Sequence, residues 1–272
     1  MSILTHPEWN QETGGLAVAK ALSEQINGKT ILITGVSPES IGSSTALSIA
    51  SQSPFLLLLA SRTQSKLDAV TKSIKDAYPN VNVQTIALDL MSQDSVREAA
   101  GRIAELTPRI DIIINNAALM TLKHQFTVEG IEAQFGANHI GHFLLTNLLM
   151  PQLLAAAKTN APGLTRVVNL TSLGHRLSPI RFHDYNFEGK DIPSEEQHTP
   201  LPPMFTKGQE GAYNGYISYG QAKTANILFS VELNKLLNEK GIVSYAVHPG
   251  CKFTAPRDSL FLTRRSYLDR PE

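Results

Sequence analysis

Two residues with complementary proton chemistry, Tyr219 and Lys223, lie four positions apart in a stretch whose apolar residues continue through Leu228, Val231 and Leu236. If this stretch is helical, the phenol and the ammonium lie on one face of the helix. A neighbouring positive charge favours the phenolate and lowers a tyrosine pKa, so the pair is a candidate proton donor and acceptor. The alternative is a partly buried tyrosine beside a lysine that reaches solvent, because this spacing is common in helices.

A glycine-bounded turn near the N-terminus is the second candidate. Residues 29–34 (KTILIT) predict a short buried strand, and a helical pattern follows residue 42. Strand, glycine turn and helix N-terminus together form a cradle for phosphate groups. The candidate cofactor-binding residues of this turn are Gly35, Ser37, Ser40, Ile41 and Gly42. An ordinary strand-to-helix connection is the alternative.

The next apolar run, Phe55 to Ala60, ends at Ser61, Arg62 and Thr63. At this point, about 20 residues beyond the glycine turn, an NAD-binding domain places an acidic residue on the ribose 2′-hydroxyl. An arginine flanked by two hydroxyls suits a 2′-phosphate instead. The sequence therefore favours NADP over NAD, unless Arg62 only caps a strand end in solvent.

Strand-like and helix-like segments alternate along the rest of the chain. Helical patterns cover 64–77, 92–105 and 128–156, and strand patterns cover 81–88, 110–114, 166–170 and 243–247. This rhythm predicts an α/β fold with a doubly wound parallel sheet of the Rossmann type in a single domain. Asp89, Asn115 and Ser172 follow predicted strands, at the sheet edge where such folds bind ligands. Each residue alone is also a common helix cap or turn former.

Composition excludes several classes of function. The 272 residues carry a formal net charge of zero and are 42% hydrophobic, with a single cysteine, Cys251. Balanced charge argues against a nucleic-acid partner, and one cysteine excludes an internal disulfide and a cysteine-rich zinc site. His183 and His198 lack metal-ligand spacing, so no metal is expected. The longest apolar run is too short for a membrane span, and we expect a cytoplasmic protein.

Several motifs in a fixed order carry a family resemblance. They are Thr34-Gly35 with Gly42, Asp89-Leu90, Asn115-Asn116-Ala117, Asn138, Ser172, Tyr219-x-x-x-Lys223 and Pro249-Gly250-x-x-x-Thr254. Over residues 28–255 the chain resembles a short-chain dehydrogenase/reductase. Ala60-Ser61-Arg62 and the run 134–143 (QFGANHIGHF) are most similar to the retinol-dehydrogenase and WW-domain-oxidoreductase branch, including its fungal members.

The resemblance implies an NADP-dependent oxidoreductase that acts on a carbonyl or alcohol of an apolar small molecule. Tyr219 would be the acid/base, and Lys223 would bind the nicotinamide ribose and lower the tyrosine pKa. Ser172 would orient the substrate oxygen, and Asn138 would hold a water in a proton relay. The cofactor-binding residues implied beyond the glycine turn are Arg62, Asp89, Leu90, Asn115, Ala117, Tyr219, Lys223, Pro249, Gly250 and Thr254. A homodimer is compatible with the sequence.

The chain also departs from the family pattern. Pro38-Glu39-Ser40 replaces the usual middle glycine of the turn, where Glu39 would repel a pyrophosphate unless it points outward. Residues 1–27 predict a helical lead, and residues 183–216, rich in Pro, Gly and charge, predict an inserted mobile loop beside the site. The resemblance fades after Gly250, so we expect an incomplete C-terminal part and an atypical tail at 256–272. A catalytically silent cofactor-binding or regulatory protein is the alternative function.

Overall fold

The computed structural model describes residues 6–10, 12–206, 211 and 213–250. Its strands form one sheet in which every pair is parallel, in the order β3-β2-β1-β4-β5-β6. The strands are β1 (Thr30–Thr34), β2 (Leu56–Ser61), β3 (Val83–Ala87), β4 (Ile112–Asn115), β5 (Thr165–Leu170) and β6 (Ile242–Val247). This order confirms the predicted doubly wound parallel sheet.

Helices cover both faces of the sheet. They are α1 (Gly15–Ala21), α2 (Ile41–Ala50), α3 (Gln64–Ala77), α4 (Gln93–Leu106), α5 (Ala133–Phe135), α6 (Gly141–Leu148), α7 (Met150–Ala157) and α8 (Gly215–Leu237). Strand β1 divides the core, because Ile31 and Ile33 pack with the residues of α2 and α3 while Leu32 packs with those of α4, α6 and α8. Continuous apolar strands are expected when helices cover both faces.

The sheet order reverses between β1 and β4, which both leave the sheet at the same edge. Ligands of open α/β sheets bind in the crevice at such a switch point. Here the turn after β1 touches the loop after β4: a Cβ on Gly35 would lie 2.8 Å from both the Cβ and the N of Ala117, and Gly35 has a φ of +73°. Only glycine fits this close approach without strain.

The prediction of a single helix at 128–156 is wrong, because the structure divides this range into several helical segments. Glu132 caps a short α5, a π-helical turn spans Gly136–Ile140, and α6 follows directly. The chain then bends by 57° before α7, where Pro151 lies in the first turn. Proline is tolerated there because its missing N–H would be unpaired in any case. Apolar periodicity continues through the bend, which explains why the pattern alone did not reveal it.

The apolar residues that the sequence analysis singled out in helix α8 are not on its buried face. Leu228, Val231 and Leu236 are 49, 46 and 61% exposed. The buried side chains of this helix include Ala222, Ala225, Phe229, Leu233 and Leu237. The helix is apolar on two faces, so periodicity could not select the one that packs on the sheet.

The described residues of the predicted inserted loop 183–216 contact the rest of the domain, and the mobility of the loop stays a prediction. Phe187 and Tyr213 are buried in a small cluster with Ile217, and the Tyr213 hydroxyl donates to Glu132 Oε1 at 3.0 Å. The buried Asp184 accepts hydrogen bonds from two backbone amides of the same loop. These contacts attach the insertion to the N-terminal ends of α5 and α8, and α8 itself begins at Gly215.

The helical part of the predicted 1–27 lead is α1, which packs on α2, and a short 3-10 turn at Ser23–Gln25. The tail at 256–272 lies outside the described residues. Among the helices that the structure describes, none is by itself both long and apolar enough to cross a bilayer. The bent pair Ala133–Leu148 and Met150–Ala157 meets that test only when the two are combined.

Candidate active site

A cavity of about 330 Å³ lies at the carboxyl ends of β1, β2, β3 and β4. Its lining contains nine predicted cofactor residues: Gly35, Ser37, Ser40, Ile41, Gly42, Arg62, Asp89, Leu90 and Ala117. Asn138 also lines it. Sequence reasoning missed Lys66, Met91, Asn116 and Leu119. Lys66 could have been predicted from its position in the first turn of α3, four residues after Arg62. That turn begins at the carboxyl end of β2, where the cavity lies.

The glycine turn ends in a capped helix. Ser40 Oγ accepts from Ser43 N at 3.1 Å, and Ser40 N donates to Ser43 Oγ at 3.0 Å, a reciprocal pair that satisfies two free N-terminal amide groups. The positive end of the α2 dipole therefore faces the cavity. Glu39 is exposed and has a φ of +58°. Glycine adopts this backbone conformation readily and other residues rarely do.

Asn116, rather than the predicted Asn115, faces the cavity. The Asn115 side chain is 1% exposed and donates to Thr146 Oγ1 and Asn169 Oδ1 inside the helix layer. Asn116 Nδ2 donates instead to the carbonyls of Thr34, at 2.7 Å, and Gly35, at 3.1 Å. The cofactor contact predicted for Asn115 thus has no geometric support from its side chain, because neighbouring residues at a strand end point to opposite faces.

The Asn138 side chain is engaged on both of its polar atoms. Its Oδ1 accepts from Leu119 N at 2.6 Å, and its Nδ2 donates to Leu119 O at 2.8 Å. Asn138 lies in the π-helical turn, a feature that often occurs at functional sites. The amide thereby fixes the loop after β4, and its predicted role in holding a water stays a prediction.

Tyr219, Ser172 and Lys223 meet at the carboxyl end of β5. Gly174 packs so tightly against the tyrosine that an added Cβ would lie 3.0 Å from the Tyr219 ring and 3.6 Å from Ser172 Oγ. The Lys223 Nζ lies 5.4 Å from the centre of the Tyr219 ring and donates to Leu170 O at 2.9 Å. One hydrogen bond uses one of three ammonium donors, so this lysine has donors left for a ligand.

Burial dominates the electrostatics of these groups. It lowers the pKa of Lys223 to about 8 and raises the pKa of Tyr219, which a hydrogen bond with Ser172 opposes. The expectation that Lys223 lowers the tyrosine pKa is wrong here, because desolvation of the phenolate is the larger effect. Tyr219 is therefore a protonated phenol at neutral pH.

Pro249 and Gly250 follow β6 and are exposed. They are not among the residues that line the cavity, and the predicted Thr254 lies outside the described residues. Within the described parts of the chain, no group of three or more His, Cys, Asp or Glu side chains is arranged to hold a metal ion.

The sequence of the chain is similar to those of known proteins. Residues 29–186 match the family model for short chain dehydrogenases. The chain is 38% identical to retinol dehydrogenase 13 of Homo sapiens over 88% of its own length and 62% of that protein. It is 34% identical to the oxidoreductase fscI of Fusarium equiseti, over 87% of this chain and 92% of that one. The chain spans about three fifths of the length of the retinol dehydrogenases that it matches.

A solved structure shows the same fold. The Pseudomonas aeruginosa RhlG/NADP active-site complex superposes with a TM-score of 0.56 at 23% identity, covering 80% of this chain and 70% of that one. The family model covers more than half of the chain. The chain belongs to the short-chain dehydrogenase family, in its retinol-dehydrogenase-like branch.

Proposed function

We propose that this protein is an NADP-dependent oxidoreductase that transfers a hydride between the nicotinamide and a carbonyl or alcohol group of apolar small molecules, with Tyr219 as the acid/base. The observation that carries the proposal is the cluster of Tyr219, Ser172 and Lys223 at the same edge of the sheet as the glycine-turn cavity. The alternative is a protein that binds the cofactor but is catalytically silent.

The cavity fits a dinucleotide phosphate. A helix N-terminus faces it beside the closely packed Gly35 and Gly42, an arrangement suited to a pyrophosphate. Arg62 and Lys66 line one end of it, and two cations suit a 2′-phosphate better than a 2′-hydroxyl. The RhlG relative has been captured with NADP, which is consistent with this choice.

When bound, the nicotinamide supplies the hydride. The protein residues manage the charge that remains on the substrate oxygen. Tyr219 donates the proton that converts an alkoxide into an alcohol, and Ser172 donates a hydrogen bond to the same oxygen. Burial keeps the phenol protonated, which is the form that reduction requires. The buried Lys223 would hold the nicotinamide ribose through its remaining donors.

Exposed apolar side chains support an apolar substrate. Leu173, directly after Ser172, is 47% exposed, and Met120 and Leu122 on the loop after β4 are 45 and 58% exposed. These side chains follow Ser172 and the cavity-lining Leu119 in the chain, and they leave apolar area for a ligand to cover. The retinol dehydrogenases among the relatives act, by their names, on an apolar alcohol.

The test combines binding and turnover. NADPH and NADH are titrated by fluorescence, and NADPH consumption is then followed with a panel of ketones, aldehydes and quinones. We expect NADPH to bind at least about tenfold more tightly than NADH, which corresponds to about 1.4 kcal/mol, and at least one apolar carbonyl to be reduced. Equal affinities would contradict the NADP assignment, and tight NADPH binding without any turnover would favour the silent alternative.

A homodimer and a cytoplasmic location belong to the same proposal. The exposed apolar residues of α8, Leu228, Val231 and Leu236, offer a surface for a second copy of the chain. Light scattering of the purified protein tests the dimer, and cell fractionation tests the location.

A further inference from the structure

A buried histidine, His142, has none of the roles expected for the site residues. His142 lies in α6, is 1% exposed, and uses both ring nitrogens. Its Nε2 lies 2.8 Å from Thr34 Oγ1, and its Nδ1 lies 3.1 Å from the carbonyl oxygen of Asn138. The histidine therefore joins the last residue of β1 to the π-helical turn that carries Asn138.

The direction of these hydrogen bonds follows from counting donors and acceptors. Thr34 Oγ1 accepts the backbone N–H groups of Asn116 and Ala117, both at 3.0 Å. A hydroxyl has two acceptor lone pairs and one proton, so its proton is left for His142 Nε2. The ring is then neutral with its own proton on Nδ1, which donates to the Asn138 carbonyl. Burial holds the pKa of His142 at about 3, in agreement with a neutral ring.

The connection continues to the cavity wall. Asn138 binds both backbone groups of Leu119, and Thr34 binds the amide of Ala117. Residues 117–119 line the cavity, so both ends of this three-residue wall are fixed through partners of one imidazole. Every polar atom in the path is satisfied within the protein, and such fully paired buried networks are rigid and specific.

We propose that His142 is a positioning residue: by joining Thr34 to Asn138 it holds residues 117–119 in the position that cofactor binding requires. This inference rests on the proposed function only in identifying NADPH as the ligand of the cavity. The bond to Thr34 is the decisive one, because it links two elements that are 108 residues apart in the sequence. The bond to Asn138 lies within one helical turn.

Two substitutions separate the two bonds. In His142→Gln the amide reaches the position of Nε2, so it can still accept from Thr34 and loses the donor near Asn138. In His142→Asn the shorter amide can donate only to the carbonyl four residues earlier, as Asn147 does to Phe143 O at 2.8 Å in the same helix. His142→Phe keeps a ring and removes both bonds. Asn147→Leu is the matched control, because it removes a hydrogen bond of the same kind on an exposed face.

Binding of NADPH and amide exchange are the readouts, and thermal melts show which variants fold. We expect His142→Phe and His142→Asn to weaken NADPH binding about tenfold, equivalent to about 1.4 kcal/mol. Hydrogen exchange in the peptide 116–121, which contains the Leu119 amide, should accelerate to a similar extent in the same variants without ligand. His142→Gln should recover most of both properties, and Asn147→Leu should change neither.

The outcomes decide the proposal. A folded His142→Phe variant that binds NADPH within twofold of the unmodified protein overturns it, as does a His142→Asn variant that performs better than His142→Gln. If His142→Phe does not fold, the ordering of the Gln and Asn variants decides alone. If the unmodified protein does not bind NADPH, the proposed function fails, while the exchange of peptide 116–121 still tests the positioning role.

Discussion

The cofactor half and the catalytic half of the site use different parts of the polypeptide, main-chain groups in the first and side chains in the second. The cofactor half, around Gly35 and Gly42, consists largely of main-chain groups that approach closely because a Cβ is missing. The catalytic half, around Tyr219 and Lys223, consists of side chains held in position by burial. The main-chain contacts of the first half should therefore accept no added volume. The second should accept no change of functional group.

Charge is distributed just as unequally between the halves. Arg62 and Lys66 in the cofactor half are exposed, so salt screens their attraction for a phosphate. Lys223 in the catalytic half is 1% exposed, and burial lowers its pKa to about 8. We expect the affinity for NADPH to fall as ionic strength rises, because salt screens Arg62 and Lys66. We expect Lys223 to make the stability of the protein depend on pH.

Removing one oxygen from the catalytic half should have the largest effect. Tyr219→Phe deletes the transferable proton and keeps the ring that packs on Gly174. Turnover should fall at least about a thousandfold, in the upper range for a general acid, while NADPH affinity stays within about threefold. Steady-state kinetics and a binding titration on the same preparation measure both. A Phe variant with a tenth of the original turnover would show that another group delivers the proton.

Adding one carbon to the cofactor half should have the next largest effect. A Cβ on Gly42 would lie 2.6 Å from Gly35 O and 2.8 Å from Asn116 Nδ2. We expect Gly42→Ala to weaken NADPH binding about a hundredfold, or about 2.7 kcal/mol. The control is Gly101→Ala in α4, where nothing lies within 4 Å of the added Cβ. That substitution should stabilise the helix by up to about 1 kcal/mol and leave binding unchanged. Equal binding losses in both variants would disprove the cradle.

The cofactor half was the easier half to predict from the sequence, because its signals are local. An apolar run, a glycine turn and a capped helix follow one another within residues 29–50, and the structure contains all three. The orientation of the Asn115 side chain, which is buried away from the cavity, shows the limit. The residue that faces the crevice depends on where β4 ends relative to its neighbours, and a shift of one position moves a side chain to the opposite face.

The features of the site that the sequence did not predict depend on contacts between distant segments. Tyr213 and Glu132 are hydrogen-bonded across 81 residues, and Thr34 and His142 across 108. No periodicity encodes such pairs, so the anchoring of 183–216 and the π-helical turn were missed. The sign of the Tyr219 pKa shift was missed for the same reason, because burial is a property of the packed fold rather than of the Tyr219–Lys223 spacing.

The pH dependence of stability tests the buried cation. The folded-state pKa of Lys223 is below its unfolded value, so the unfolded chain binds more protons between about pH 8 and 10.5 and stability rises with pH there. Relative to Lys223→Met, the unmodified protein should gain about 2 kcal/mol between pH 7.5 and 9.5. Denaturant titrations of both proteins measure this difference. If the free energy of unfolding depends on pH in the same way in both proteins, the Lys223 ammonium is more solvated than its burial in the structure indicates.

Reversing a charge in the cofactor half should have a smaller effect. Arg62→Asp repels a 2′-phosphate and accepts from a 2′-hydroxyl, so NADPH should bind about tenfold more weakly and NADH should become the better ligand. Lys66→Met is the matched control, which removes one cation without adding an anion and should weaken NADPH binding by less. Titrations at low and high salt measure the two affinities. An unchanged preference in Arg62→Asp would assign the 2′-phosphate to other residues.

The smallest effect should come from restoring glycine at the tip of the turn. Glu39 has a φ of +58° and Ser53, at the opposite edge of the sheet before β2, has a φ of +52°. Relief of left-handed strain should stabilise Glu39→Gly and Ser53→Gly alike, by about 1 kcal/mol each. Only Glu39→Gly also removes a carboxylate from the turn that borders the cavity, so it alone should tighten NADPH binding, by about threefold or about 0.7 kcal/mol.

Thermal melts and NADPH titrations of the two variants separate the effect of backbone strain from the effect of charge. If both variants are stabilised and neither binds NADPH more tightly, the Glu39 carboxylate points away from the ligand. The cofactor half then tolerates its charge because the main chain alone forms the contacts.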